Sequence, residues 1–209
     1  MEVKLAMDTL LSIGIGIALS AACGFRIFVP PLIMSIAATS GHLSLGPEFQ
    51  WMGTYSALFA FAVATTVEVA AYFIPWIDNL LDAVSTPVAI AVGTFITGAL
   101  LPNNDPLLQW TIAAIAGGGS AGIIQSLTGM TRLSSTALTG GFGNGIVSTI
   151  EFFGALILSV MAILVPFLAV GLVAALLIFS LKKGQQILAT RSRNGLRQDI
   201  SVKSMSDRP

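Results

Sequence analysis

The sequence predicts an all-α fold, a polytopic transmembrane helical bundle, and three observations carry that prediction. First, 55% of its 209 residues are apolar and 10% are charged, where soluble domains carry about 25% charged residues. Second, long windows hold almost no charge: residues 53–74 contain Glu68 alone, and residues 84–101, 107–129 and 152–181 contain none. A spanning helix needs about 20 mainly apolar residues, a length these windows meet or nearly meet. Third, the charges are segregated, +5 over residues 182–209 and −5 over residues 5–181. So few charges cannot clothe a soluble surface, which excludes a cytosolic globular protein. The basic charge lies in a short tail and not on a domain face, so no nucleic-acid partner is expected.

The elements follow in order. Residues 9–23 are apolar, Gly24-Phe25-Arg26 interrupts, and residues 27–41 are apolar again around Pro30-Pro31. Neither piece comfortably spans alone, so a broken or re-entrant N-terminal helix pair is expected. Non-helical backbone at membrane depth persists only inside protein or beside a wet cavity, so this region should pack inside the molecule. Residues 1–23 are read as mature fold, because Glu2 and Asp8 outweigh Lys4 where a cleaved signal wants positive charge. Residues 53–74 form the next helix. Residues 74–82 read as a short interfacial helix, with Trp76 in the headgroup belt. Its Asp78 and Asp82, four apart, share a water-facing side. Thr86-Pro87 then starts the following helix, with proline in its first turn. Residues 107–129 span. Pro166 divides residues 152–181 into two helices, about 146–164 and 166–181; one long kinked helix is the alternative. The total is six or seven membrane segments.

A transmembrane domain over residues 1–183 and a basic tail over 184–209 result. Lys and Arg near the helix ends set orientation. The tail begins at Lys182-Lys183, and loops 41–52 and 102–106 hold no Lys or Arg. A multi-pass protein of the cell inner (plasma) membrane with a cytoplasmic C-terminus is expected. The tail is polar without a periodic apolar face, which predicts disorder and contact with anionic lipid.

A charge at mid-membrane costs on the order of 2.5–3.5 kcal/mol on the insertion scale. Arg26, Glu68, Arg132 and Glu151 are therefore the informative residues. On one reading they line an internal polar site together with Asn144. On the other they pair as Arg–Glu and lock helices together. Gly118-x-x-x-Gly122 lets helix backbones approach closely. Gly118-x-Ser120-x-Gly122 also has the nucleophile spacing of some serine hydrolases. The only histidine, His42, lies in a remote loop, so no enzyme is expected. Residues 140–145, rich in glycine, read as an unwound stretch whose amides meet an anion, or as a plain interhelical loop. One histidine and one cysteine, Cys23, build neither a zinc site nor a disulfide, and no metal or cofactor is expected.

The halves show a parallel: Ser20-Ala21-Ala22, Arg26 and Glu68 against Ser120-Ala121-Gly122, Arg132 and Glu151. An internal repeat is one account, chance in a low-complexity chain the other. Three runs carry a family resemblance. They are Ser20-x-x-x-Gly24-Phe25-Arg26-x-Phe28-x-Pro30, then Glu68 with Ile74-Pro75-x-x-Asp78-x-x-Leu81-Asp82 and Thr86-Pro87, then Asn144-x-x-x-Ser148-x-x-Glu151. Over roughly residues 8–181 the chain resembles the bacterial membrane proteins grouped as domain of unknown function 4126. Cys23 stands where a small residue is expected. The resemblance supports the motif residues as a set and implies no particular chemistry.

The expected function is a small transporter or channel with an intramembrane Arg/Glu site. Arg26 and Arg132 would bind an anionic group, and Glu68 and Glu151 would carry a coupling proton or cation. The alternative is a non-transporting scaffold, assembly factor or lipid-binding module whose Arg–Glu pairs are structural. The small-residue faces allow a homo-oligomer within the lipid bilayer.

Overall fold

The computed structural model describes residues 2–101, 105–180 and 182, and their regular structure is helical. The order is α1 (Glu2–Cys23), α2 (Val29–Thr39), a 3-10 turn (Pro47–Gly53), α3 (Tyr55–Ala71) and α4 (Pro75–Leu100). Then come α5 (Pro106–Ile112), a π turn (Ala113–Gly118), α6 (Gly119–Thr139) and α7 (Asn144–Leu164), and last α8 (Pro166–Ser180). The side chains of Trp76, Asp78 and Asp82, and the basic tail beyond Lys182, lie outside what is described.

Local chemistry sets the boundaries. Thr54 opens α3, its Oγ1 accepting the Ala57 N–H at 3.2 Å. Asp105 opens α5 by accepting the Leu107 N–H at 2.9 Å. Pro75 sits in the first turn of α4, where its missing donor costs nothing. Pro166 cannot continue the α7 ladder, so Val165 separates two helices as the sequence predicts. Gly140 ends α6 with φ +64°, a conformation that glycine enters freely.

One expectation fails. Residues 74–82 and the stretch after Thr86-Pro87 are not separate helices: α4 runs unbroken with Pro87 inside it. A proline removes one ladder donor, but in a lipid-embedded bundle the freed carbonyl can be satisfied by neighbours, and the helix continues.

The apolar part of α1 is the axis of the bundle: Ala18, Leu19, Ala21 and Ala22 are wholly buried. It is surrounded by α4, α7, α6 and α2. Gly24, just beyond α1, permits the closest approach. A Cβ there would lie 2.6 Å from the Ala121 carbonyl oxygen and 2.8 Å from the Gln125 nitrogen, so any side chain would push α1 off α6. The α3 helix leans on α2 and the 3-10 turn, whereas α4 is held by α1, the π turn and α6. These two consecutive helices splay apart.

The surface is inverted relative to a soluble protein. Phe59, Val67, Phe153, Ile157 and Phe167 face outward, while Ser20, Thr97, Ser148, Ser159 and both arginines are buried. Lipid as solvent accounts for this pattern, and the apolar helices are those of a membrane protein. Three stretches are long and apolar enough to cross: Ala83–Leu100, Pro106–Thr139 and Asn144–Leu164. The 3-10 turn and α3, bent by 67°, make a fourth if taken as one span. Six or seven spans are therefore not reached by length among the described residues. Thr9–Cys23, Val29–Thr39 and Pro166–Ser180 are apolar but fall short of about 20 residues.

Candidate functional site

The break between α1 and α2 organises the buried charges. Beyond Cys23 the chain tightens, with the Phe25 and Arg26 N–H groups both donating to the Ala22 carbonyl. The Gly24 carbonyl accepts the Thr128 hydroxyl of α6 at 3.2 Å. Arg26 thus starts its side chain at the C-terminal end of α1, where a cation suits the helix dipole. Its Nη2 donates to the Ser148 carbonyl at 2.8 Å and to the Ser148 hydroxyl. The same atom lies 3.5 Å from Glu151 Oε2.

Arg132, from α6, reaches the same carboxylate. Its Nε donates to Glu151 Oε1 at 3.0 Å, and its Nη2 donates to Oε2. Arg132 and Glu151 thus pair as Arg–Glu, but Arg26 joins the same carboxylate and not Glu68, so two arginines meet one glutamate and the repeat of the two halves does not extend to their ion pairs. Both guanidiniums also lie over the Tyr72 ring, with Cζ 3.9 Å from its centroid for Arg26 and 4.1 Å for Arg132. Such contacts are favourable cation–π geometry. Exposure is 1% for Arg26, 2% for Arg132 and 4% for Glu151. Charges so far from water are stable only when paired and hydrogen-bonded, which the cluster largely provides. The Nε and Nη1 atoms of Arg26 are buried without a hydrogen-bond partner among the described residues.

Glu68 does a different job. Its Oε1 accepts the Ile27 N–H at 2.8 Å and its Oε2 accepts the Phe28 N–H at 3.0 Å. These groups sit at the N-terminus of α2, where Pro30 and Pro31 supply no donors of their own. A carboxylate at a helix N-terminus satisfies orphan donors and meets the positive end of the dipole. The broken helix is thus neutralised from both sides, Arg26 at one end and Glu68 at the other.

Asn144, Ser148 and Glu151 follow one face of α7, as spacings of four and three require. Asn144 stands one turn before Ser148 and about two before Glu151, its Nδ2 donating to Thr136 Oγ1 at 2.9 Å and tying α7 to α6. Gly118 and Gly122 lie elsewhere, against Ile90 of α4. Residues 140–143 form a plain turn: the Gly140 N–H bonds Thr136 O, and the Asn144 N–H bonds Gly141 O. The unwound anion-binding stretch is not what this segment forms. Ser120 Oγ donates to the Gly117 carbonyl at 2.9 Å, and His42 is exposed beyond α2.

Sequence reasoning missed Tyr72 and the part played by Ser148. Tyr72 follows Glu68 by four residues, one helical turn, which was a usable signal. Ser148 was visible as part of a motif, but its bond to Arg26 joins positions 122 residues apart.

Where α3 and α4 splay, they enclose a cleft of about 710 Å³. Its walls are apolar, with Phe59, Val63 and Val67 on α3 and Val84 and Val88 on α4. Glu68, Tyr72 and Ser85 supply its polar groups. Ser85 Oγ accepts Gln125 Nε2 at 2.8 Å. Tyr72 is shared between the cleft wall and the charge cluster.

Among curated proteins and solved structures none matches the chain. The model of the family described as a domain of unknown function, DUF4126, matches residues 13–183. That match runs from the apolar part of α1 past α8 and takes in every residue of the cluster and the cleft, and the chain belongs to the DUF4126 family.

Proposed function

We propose that this chain is a membrane-embedded binding module for a lipid-soluble molecule, which it holds between α3 and α4. The buried arginines and Glu151 brace that site and carry no substrate. The observation behind this reading is the cleft: about 710 Å³, inside the range of about 300–1,000 Å³ for small-molecule sites. A discontinuous helix in a transporter presents its N-terminus to an anionic substrate. Here Glu68 already fills the N-terminus of α2, and Glu151 already engages both arginines. The test is organic extraction of protein purified in mild detergent, native chain against Ala64→Trp, which fills the cleft. A co-purified hydrophobic molecule lost in the variant, with unfolding unchanged, supports the reading. Identical extracts overturn it.

The two unpartnered donors of Arg26 favour a second reading, a small transporter or channel for an anion. It expects anion flux into liposomes that Glu68→Gln abolishes while the protein stays folded. Such a result would select transport over the binding module. On either reading the basic tail recruits anionic lipid from the cytoplasmic side, and copies associate in the bilayer.

A further inference from the structure

We infer that the molecule held between α3 and α4 has an apolar chain and a hydrogen-bond-donating head, a hydroxyl or an ammonium, seated against Glu68. This rests on the cleft being a binding site and names what it selects. Among the described residues Glu68 is the sole charge on the cleft wall. Its two oxygens each accept one backbone N–H, and a carboxylate oxygen has room for a second donor. The arginines do not line the cleft; their guanidiniums are turned to Glu151 and Ser148 and covered by Tyr72. A head bearing a phosphate or sulfate would therefore meet a carboxylate of like charge directly, while the arginines that act on that carboxylate are not among the described residues of the wall. A donor head would gain a charge-assisted hydrogen bond there. The apolar residues of α3 and α4 above it would take the chain.

The experiment uses the full chain in phosphatidylcholine nanodiscs. Three probes share one chain and carry a photoactivatable diazirine on it: hexadecanol, hexadecylamine and hexadecyl sulfate. Labelled residues are mapped by mass spectrometry on the native chain, on Ala64→Trp and on Glu68→Gln. The inference expects the alcohol and the amine to label α3 and α4 around the cleft. It expects the sulfate to label there at least about tenfold less, as like-charge repulsion requires. Ala64→Trp should remove the cleft label, and Glu68→Gln should narrow the gap between amine and sulfate. If Glu68→Gln fails to fold, the comparison of heads on the native chain decides alone. Equal labelling by all three probes, lost in Ala64→Trp, would sink the inference and leave the binding module standing. Labelling unaffected by Ala64→Trp would overturn both.

Discussion

Glu151 accepts Arg132 through both oxygens and stands within ion-pair distance of Arg26. Its removal leaves two buried cations facing each other with no anion between them. Breaking a buried pair from one side costs about 3–5 kcal/mol, and Glu151→Gln is expected to lower stability by that amount in detergent unfolding. A loss below about 1 kcal/mol, the value of an exposed pair, would show that the cluster does not hold the bundle. Gly24 is the second sensitive position. Because the atoms facing it are largely backbone, a methyl group cannot be accommodated by a rotamer change. Gly24→Ala should cost about 1–3 kcal/mol, as overpacking does, with the loss read from the same unfolding curves. Of these residues Arg26, Arg132 and Glu151 were legible as out-of-place charges. The partner of each was not, because nothing local in an apolar helix says which distant helix it will meet.

The broken pair α1–α2 is the element on which the site depends. The break itself was readable: two prolines and an arginine interrupt an apolar run. Its chemistry was less so, since the capping carboxylate comes from α3, 40 residues after Phe28. Glu68→Leu would strip Ile27 and Phe28 of their acceptors, and each buried unsatisfied donor costs about 1–3 kcal/mol. Amide hydrogen exchange should then accelerate at Ile27 and Phe28 before it changes in α7; uniform acceleration of both would mean Glu68 holds the whole bundle and not one helix end. Glu68→Gln, which keeps one acceptor oxygen, should show the smaller effect. The misread element was α4. Asp78, Asp82 and Pro87 look like the marks of a short interfacial helix and the start of a new one, yet packing along α1 and α6 keeps one helix through all of them.

At the scale of the molecule, the cleft exists because α3 follows α2 while α4 follows α1 and α6. The closed part of the bundle contains the cluster of Arg26, Arg132 and Glu151, and the open part presents apolar walls with Glu68 among them. The tail after Lys182 is the other large-scale feature, with +5 over residues 182–209. Deleting residues 184–209 should leave the unfolding midpoint unchanged. It should also weaken attachment to anionic vesicles, since each Lys or Arg near such a surface contributes about 1 kcal/mol. A lowered midpoint would make the tail part of the fold.

The sequence by itself determined the class of molecule: helical, apolar outside, with a handful of charges that must be inside. Composition suffices for that, because a hydrocarbon layer about 30 Å thick imposes the same demand on every segment that crosses it. Turns at Pro166 and Gly140 were equally local, set by a missing donor and a left-handed φ. Tertiary structure alone decided that Glu151 rather than Glu68 receives the arginines, that Glu68 caps α2, and that α3 and α4 part to form a cleft. Those outcomes turn on approaches of a few ångströms between helices far apart in the chain. Dispersion and small-residue contacts set such approaches in lipid, and they leave no periodic mark on any one segment.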